Sequence, residues 1–142
     1  MNNTPALGDQ IIEQVADALI YVDRAGNIVR WNAAACRLFG YDAAEVLGGS
    51  LDPIIPKHLR AAHWAGFNAA IASGRTRLQG RPTLTRAVRK DGQKLYVEMT
   101  FALVKGSSGT AIGSVAMARD VTERTEKERA ARNAASSAVA PG

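Results

Sequence analysis

The stretch RKDGQKLYVEMTFALV, residues 89–104, constrains this chain more than any other. Asp91–Gly92 is a strong hairpin signal, because a short acidic residue followed by glycine accepts the backbone of a tight turn. Beyond the turn the side chains alternate. Val97, Met99 and Phe101 fall on one face of a strand, and Tyr96, Glu98 and Thr100 on the other. A strand with one apolar face must lie in a sheet that is covered on that face.

The same signals recur along the chain. In LIYVDRAGNIVRWN, Leu19–Val22 and Ile28–Trp31 are β-rich and flank turn residues, which predicts a hairpin. RLQGRPTLTRAV supplies the strand before Asp91, and AIGSVAMARDVT a last strand after the flexible KGSSGT. Between the two strand groups lie helical segments. NAAACRLFGY has Asn32 as a cap and Gly40 as a stop. DAAEVLG carries a capping box at Asp42 and Glu45. DPIIPKHLRAAHWAGFNAAIASG predicts about four helical turns, with Leu59, Ala62, His63, Phe67, Ala70 and Ile71 on one face. The expected class is α+β: an antiparallel sheet of five strands, with short helices over one face enclosing a ligand pocket.

Both ends are expected to be helical. Ile11, Ile12 and Val15 share a face in LGDQIIEQVADA. TERTEKERAARN pairs Glu123 with Lys127 and Arg124 with Glu128, four apart. The division read from this is a flexible tail at 1–7, one domain at 8–121 that includes the N-terminal amphipathic helix, and a C-terminal helix with a disordered tail at 122–142.

Composition narrows the function. The net charge of +5 comes from basic residues that are scattered and not interleaved with aromatics, so no nucleic-acid partner is expected. A single cysteine, Cys36, rules out an internal disulfide and a Cys-rich metal site. No signal peptide and no apolar run near the roughly 20 residues of a membrane span is seen, so a cytoplasmic protein without a membrane partner is expected. No nucleophile–base pair or paired carboxylates appear, so no enzyme activity is expected.

Both histidines lie in PKHLRAAHWAGF. On a continuous helix their five-residue step leaves them about 140° apart, so they do not grip one metal ion together. His63 shares its face with Leu59, Phe67 and Ala70, whereas His58 sits beside Lys57 near the helix start. His63 is the inward candidate.

GNIVRWNAAACRLFGYDAAEVLG resembles the first half of a PAS domain, and RKDGQKLYVEMTFALV with AMARDVTERTEKE resembles the second. The resemblance covers roughly residues 9–125 and assigns the 8–121 unit to a PAS sensor domain. Within it, Pro56, Arg60, His63 and Phe67 resemble the helix of the haem-binding PAS gas sensors of the FixL and Dos type, including the spacing from His63 to Asp91. That resemblance implies haem b with His63 as the iron ligand. Its pocket would be lined by Leu59, Phe67 and Ala70 from the helix and Val97, Met99 and Phe101 from the strand, with the alanines at 61, 62, 65, 69 and 70 admitting a flat macrocycle. Met99 is a further, weaker candidate for the iron. Arg81 falls where Dos-type sensors carry a methionine ligand, and Thr83 where both types carry an oxygen-binding arginine. The flavin PAS photoreceptors instead need a reactive cysteine on this helix, and Cys36 lies elsewhere.

The function this implies is binding of a diatomic gas, oxygen or carbon monoxide. Binding would move the Arg81 region, shift strands within 84–104 and reorient the helix leaving at Val121–Thr125. A homodimer through Ile11, Ile12, Val15 and the outer sheet face is expected, with an effector protein or domain as a further partner. A haem-free interaction module, or a sensor of a small organic ligand, stands as the alternative.

Overall fold

The computed structural model describes residues 6–139. The tails expected at 1–7 and 122–142 lie partly outside these, at 1–5 and 140–142. Five strands form one antiparallel sheet: β1 (Ala18–Asp23), β2 (Ile28–Trp31), β3 (Thr83–Val88), β4 (Lys94–Lys105) and β5 (Ala111–Asp120), in the order β2-β1-β5-β4-β3. The last strand in sequence is therefore the middle strand in space.

The local chemistry makes these elements. At the β3–β4 turn, Asp91 Oδ1 accepts from the Gln93 amide and Gly92 takes a φ of 87°. At the β1–β2 turn, Asp23 Oδ1 accepts from the amides of Ala25 and Asn27. Helix α2 (Ala33–Phe39) starts at Asn32, whose side chain accepts from the Ala35 amide, and ends at left-handed Gly40. Helix α3 (Ala43–Val46) carries the Asp42–Glu45 capping box.

Helices α2, α3 and α4 (Arg60–Ser73) cover one sheet face, on β1, β2 and β5 respectively. The core lies between them: Ala18, Ile20 and Val22 from β1, Trp31 and Phe39 around α2, and Leu95, Val97 and Ala118 from β4 and β5 are buried. Hairpin β3–β4 is tied to this layer. Arg89 Nη1 donates to the carbonyls of Arg37 and Leu38 at the end of α2, and Lys90 pairs with Glu45.

The outer helices differ from expectation. Helix α1 (Leu7–Gln14) already includes Leu7, which the sequence places in the tail, and buries no residue. Leu7 and Ile11 are 70% and 53% exposed, whereas Ile12 and Val15 are half-buried. Helix α5 (Thr122–Val139) runs through most of the segment expected to be disordered. Its alanines after Arg132 favour the helix on propensity alone. Among the described residues, no helix is long and apolar enough to cross a membrane.

A candidate ligand cleft under helix α4

The helix expected from Pro56 onward is broken. Lys57–Leu59 form a separate 3-10 turn, and α4 begins at Arg60, whose Nε donates to the Ile55 carbonyl. His58 lies in the short turn and is exposed. His63 lies on α4 and faces inward with Phe67, Ala70 and Ile71; Leu59 precedes them, half-buried.

The opposite wall is the inner face of the sheet. Directly paired residues share a face. Thr83 pairs with Met99, Met99 with Ala118, and Phe101 with Ala116. The middle strand thus presents Ser114, Ala116 and Ala118 inward, beneath α4. Five of the six α4 alanines, 61, 62, 65, 69 and 72, are exposed, so they do not make room for a ligand; only Ala70 faces in. The small residues at the site come from β5 instead. Strand alternation reveals that inner row, but only the pairing shows which strand lies under α4.

Packing here is incomplete. Central strands covered by a helix are normally buried. Val97 is fully buried, but Met99, Phe101, Ser114 and Ala116 are half-exposed, and α4 buries only Ile71. Phe67 and Met99 meet the edge of the core from the two sides. The better-defined hollows lie elsewhere and are open: one of about 500 Å³ beside Asp120, Val121, Glu123, Arg124 and Lys127, and a shallower one along α1. Neither carries a convergent set of polar groups in an apolar wall.

His63 is electrostatically distinct. Its Nδ1 is the one buried side-chain nitrogen or oxygen without a hydrogen-bond partner among the described residues. Burial lowers its pKa below the ordinary 6.5, and the Asp52 carboxylate partly opposes this. The ring is therefore neutral at neutral pH and has a free nitrogen. Among the described residues no group of three His, Cys, Asp or Glu gathers to hold a bare metal ion. A lone imidazole suits a metal that brings its other ligands with it. The neutral ring, the apolar walls and the small β5 floor fit haem b.

Arg81 is a correction. It is exposed, and its Nε donates to the Leu78 carbonyl, which closes a local turn. It leaves the cleft to Thr83, which is half-buried beside Met99. Cys36 lies on α2, away from α4, and packs against the core edge. Trp64 and Asp52 were not singled out in the sequence. The Trp64 indole N–H donates to Asp52 Oδ1 at 2.7 Å, and its ring lies over Gly26 in the β1–β2 turn.

The PAS fold family model matches residues 12–126. This chain is a PAS domain. The oxygen sensor protein DosP of Escherichia coli is 30% identical over 83% of the chain, and the chain spans 15% of DosP. The sensor protein FixL of Bradyrhizobium diazoefficiens is 24% identical over 83% of the chain, which spans 23% of FixL. Among solved structures, an RNA-binding Light-Oxygen-Voltage receptor is 27% identical, with a TM-score of 0.72, over 96% of the chain and 41% of the receptor. The PAS domain here is therefore similar to parts of longer sensor proteins of more than one kind.

The His63 shift has a measurable consequence for the ligand-free PAS domain. The unfolded imidazole takes up a proton near pH 6.5, and the folded one only at lower pH. Between those values the unfolded chain binds more protons, so stability falls as pH falls through that window. The urea midpoint of the wild type should drop relative to that of His63→Gln between about pH 7.5 and about pH 5.5. A pH-independent gap between the two would mean that the ring is solvated.

Proposed function

We propose that this PAS domain binds haem b through His63 and senses a diatomic gas, oxygen or carbon monoxide. The observation that carries the proposal is the buried, unpartnered nitrogen of His63, facing an apolar cleft on the helix where the resemblance to haem PAS sensors implies the iron ligand. Similarity to a protein named as an oxygen sensor supports the same reading.

When bound, haem b would supply an iron centre able to take up a diatomic gas. His63 would hold the iron through the free nitrogen of its neutral imidazole. Leu59, Phe67, Ala70, Val97, Met99 and Phe101 exclude water from the cleft. The Thr83 hydroxyl lies beside Met99 and can donate to a gas molecule held in the cleft. Movement of β4 then reaches α5 directly: the Val121 amide donates to the Tyr96 carbonyl at 2.9 Å, and the Tyr96 amide donates to Thr122 Oγ1 at 2.9 Å. Gas binding would thus bias the exit helix and, through it, an effector protein or domain.

Addition of haemin to the purified domain should give a Soret band. His63→Ala should lose it, or recover a native-like spectrum only with added imidazole, whereas His58→Ala should behave as wild type. Absence of the band in the wild type would favour the haem-free interaction module or a small organic ligand.

For the gas, a neutral hydroxyl donor is worth about 1 kcal/mol, roughly a five-fold change in affinity. Thr83→Val should weaken oxygen binding by about that factor and carbon monoxide much less, because bound carbon monoxide carries less charge. Arg81→Ala should leave both unchanged. Flash photolysis would measure them, and the opposite pattern would return Arg81 to the cleft.

A homodimer would cover Leu7 and Ile11, with Ile12 and Val15 at its edge, together with part of the outer sheet face. Exposed apolar faces of this kind mark association surfaces. Light scattering should show Ile11→Glu as a monomer where the wild type is a dimer. A variant that stays dimeric would place the interface elsewhere.

A further inference from the structure

The geometry points to Asp52 and Trp64 as a positioning pair for His63: Trp64 fixes the imidazole ring, and the Asp52 carboxylate that Trp64 holds sets the charge beside it. This rests on the reading of His63 as the haem ligand.

Trp64 is held on several sides. Its ring meets His63 edge-on at 4.6 Å and 85°, and Phe67 edge-on at 5.4 Å and 86°. Edge-to-face pairs at these distances are attractive and directional. On another side the ring rests against the backbone of Gly26, where an added Cβ would come within 2.9 Å of it. Only glycine at this turn admits the indole. The N–H donates to Asp52 Oδ1 at 2.7 Å, a short bond to a charged acceptor.

Asp52 sits in the 3-10 turn Asp52–Ile54, half-buried, and its carboxylate is held at the indole that meets the His63 ring. One of its oxygens is taken by the indole, and the other has no hydrogen-bond partner among the described residues. A carboxylate close to an imidazole favours positive charge on it through space and so raises its basicity. A more basic imidazole favours ferric over ferrous iron. A neutral amide oxygen would accept the same indole bond.

That difference gives the test. Asp52→Asn keeps the acceptor and removes the charge. Trp64→Phe keeps the ring and removes the donor. Glu123→Gln removes an exposed carboxylate on α5 as a control. With haemin-loaded protein at a fixed applied potential, Asp52→Asn should lower the ferric-to-ferrous ratio by about five-fold or more. Trp64→Phe should move it in the same direction, and Glu123→Gln should leave it unchanged. An unchanged ratio in Asp52→Asn, or an equal shift in Glu123→Gln, would overturn the proposal.

A second readout needs no haem. Carbethoxylation by diethylpyrocarbonate, followed by peptide mass spectrometry, reports how freely each histidine is reached. His58 should react fast and His63 slowly. Trp64→Phe should speed His63 by about ten-fold, while Asp52→Asn should leave it near the wild-type rate, since the indole stays bound. Equal rates at His63 in wild type and Trp64→Phe would overturn the ring-holding role. A wild-type domain that takes up no haemin would instead sink the haem reading, and the modification rates would still decide whether Trp64 holds the ring.

Discussion

The buried amide of Asn32 is the interaction on which the layers of this domain depend. It is 1% exposed and fully used. Its oxygen accepts from the amides of Leu19 and Ala35, and its nitrogen donates to the carbonyls of Ile12 and Asp17. One side chain thus fixes the start of α2 against β1 and holds the chain leaving α1. A buried polar group left unpaired costs about 1–3 kcal/mol, so no apolar substitute serves all four partners. Once α2 is set, Phe39 and Trp31 close the core at one end of the sheet. The sealed half and the loose half of the inner face follow from that placement.

The loose half exists because β5 is small where it is central. Ala116 and Ser114 are small, and α4, which packs on β5, buries only Ile71. What holds α4 is concentrated at its start, in the Arg60 bond to Ile55 and the Trp64 bond to Asp52. The C-terminal half, toward Gly74, rests on Ile71 alone among buried residues. A helix bonded mainly at its start over a floor of small residues packs less tightly than α2 does, and this sets the α4 side apart from the packed core.

Much of this was legible in the chain. Both hairpins, the caps at Asn32 and Asp42, and the inward set Val97, Met99 and Phe101 follow from turn chemistry and period-two alternation, which are local. The break between Leu59 and Arg60 was not legible, because a 3-10 turn and an α-turn share the same residues at this length. The exposure of the α4 alanines and of Arg81 was not legible. The alanines suit a flat ligand by size alone and Arg81 is placed by the resemblance alone, whereas exposure depends on which face of α4 meets the sheet and on the turn that Arg81 closes with Leu78. Trp64 and Asp52 lie twelve residues apart, and only the fold brings the indole to the carboxylate. The edge of α1 was misplaced because Leu7 follows Pro5 and Ala6, which read as a tail. The full length of α5 was not legible, because small residues near a chain end suit a loose tail as well as a helix, although alanine is the strongest helix former.

On the proposed reading, the contacts that would carry a signal outward are of a different kind from those that hold the core. Tyr96 lies on the outer face of β4, between the inward Leu95 and Val97. Arg86 and Arg129 sit over its ring at 5.7 and 5.6 Å, and the Arg129 guanidinium also reaches its hydroxyl. Arg124 meets Glu98, and near its start α5 buries Thr125, with Val121 buried just before it. Exposed cation–π and ion pairs are each worth about 0.5–1 kcal/mol or less. A coupling between two sites commonly amounts to about 1–3 kcal/mol. Repacking the core would cost more than that, so a signal of this size cannot pass through the sealed half. It is enough to release a few contacts on Tyr96 and Glu98. On the proposed reading, a sub-ångström shift of Met99 on the inner face is therefore felt first by its outward neighbours on the same strand, and the beginning of α5 answers while the core does not.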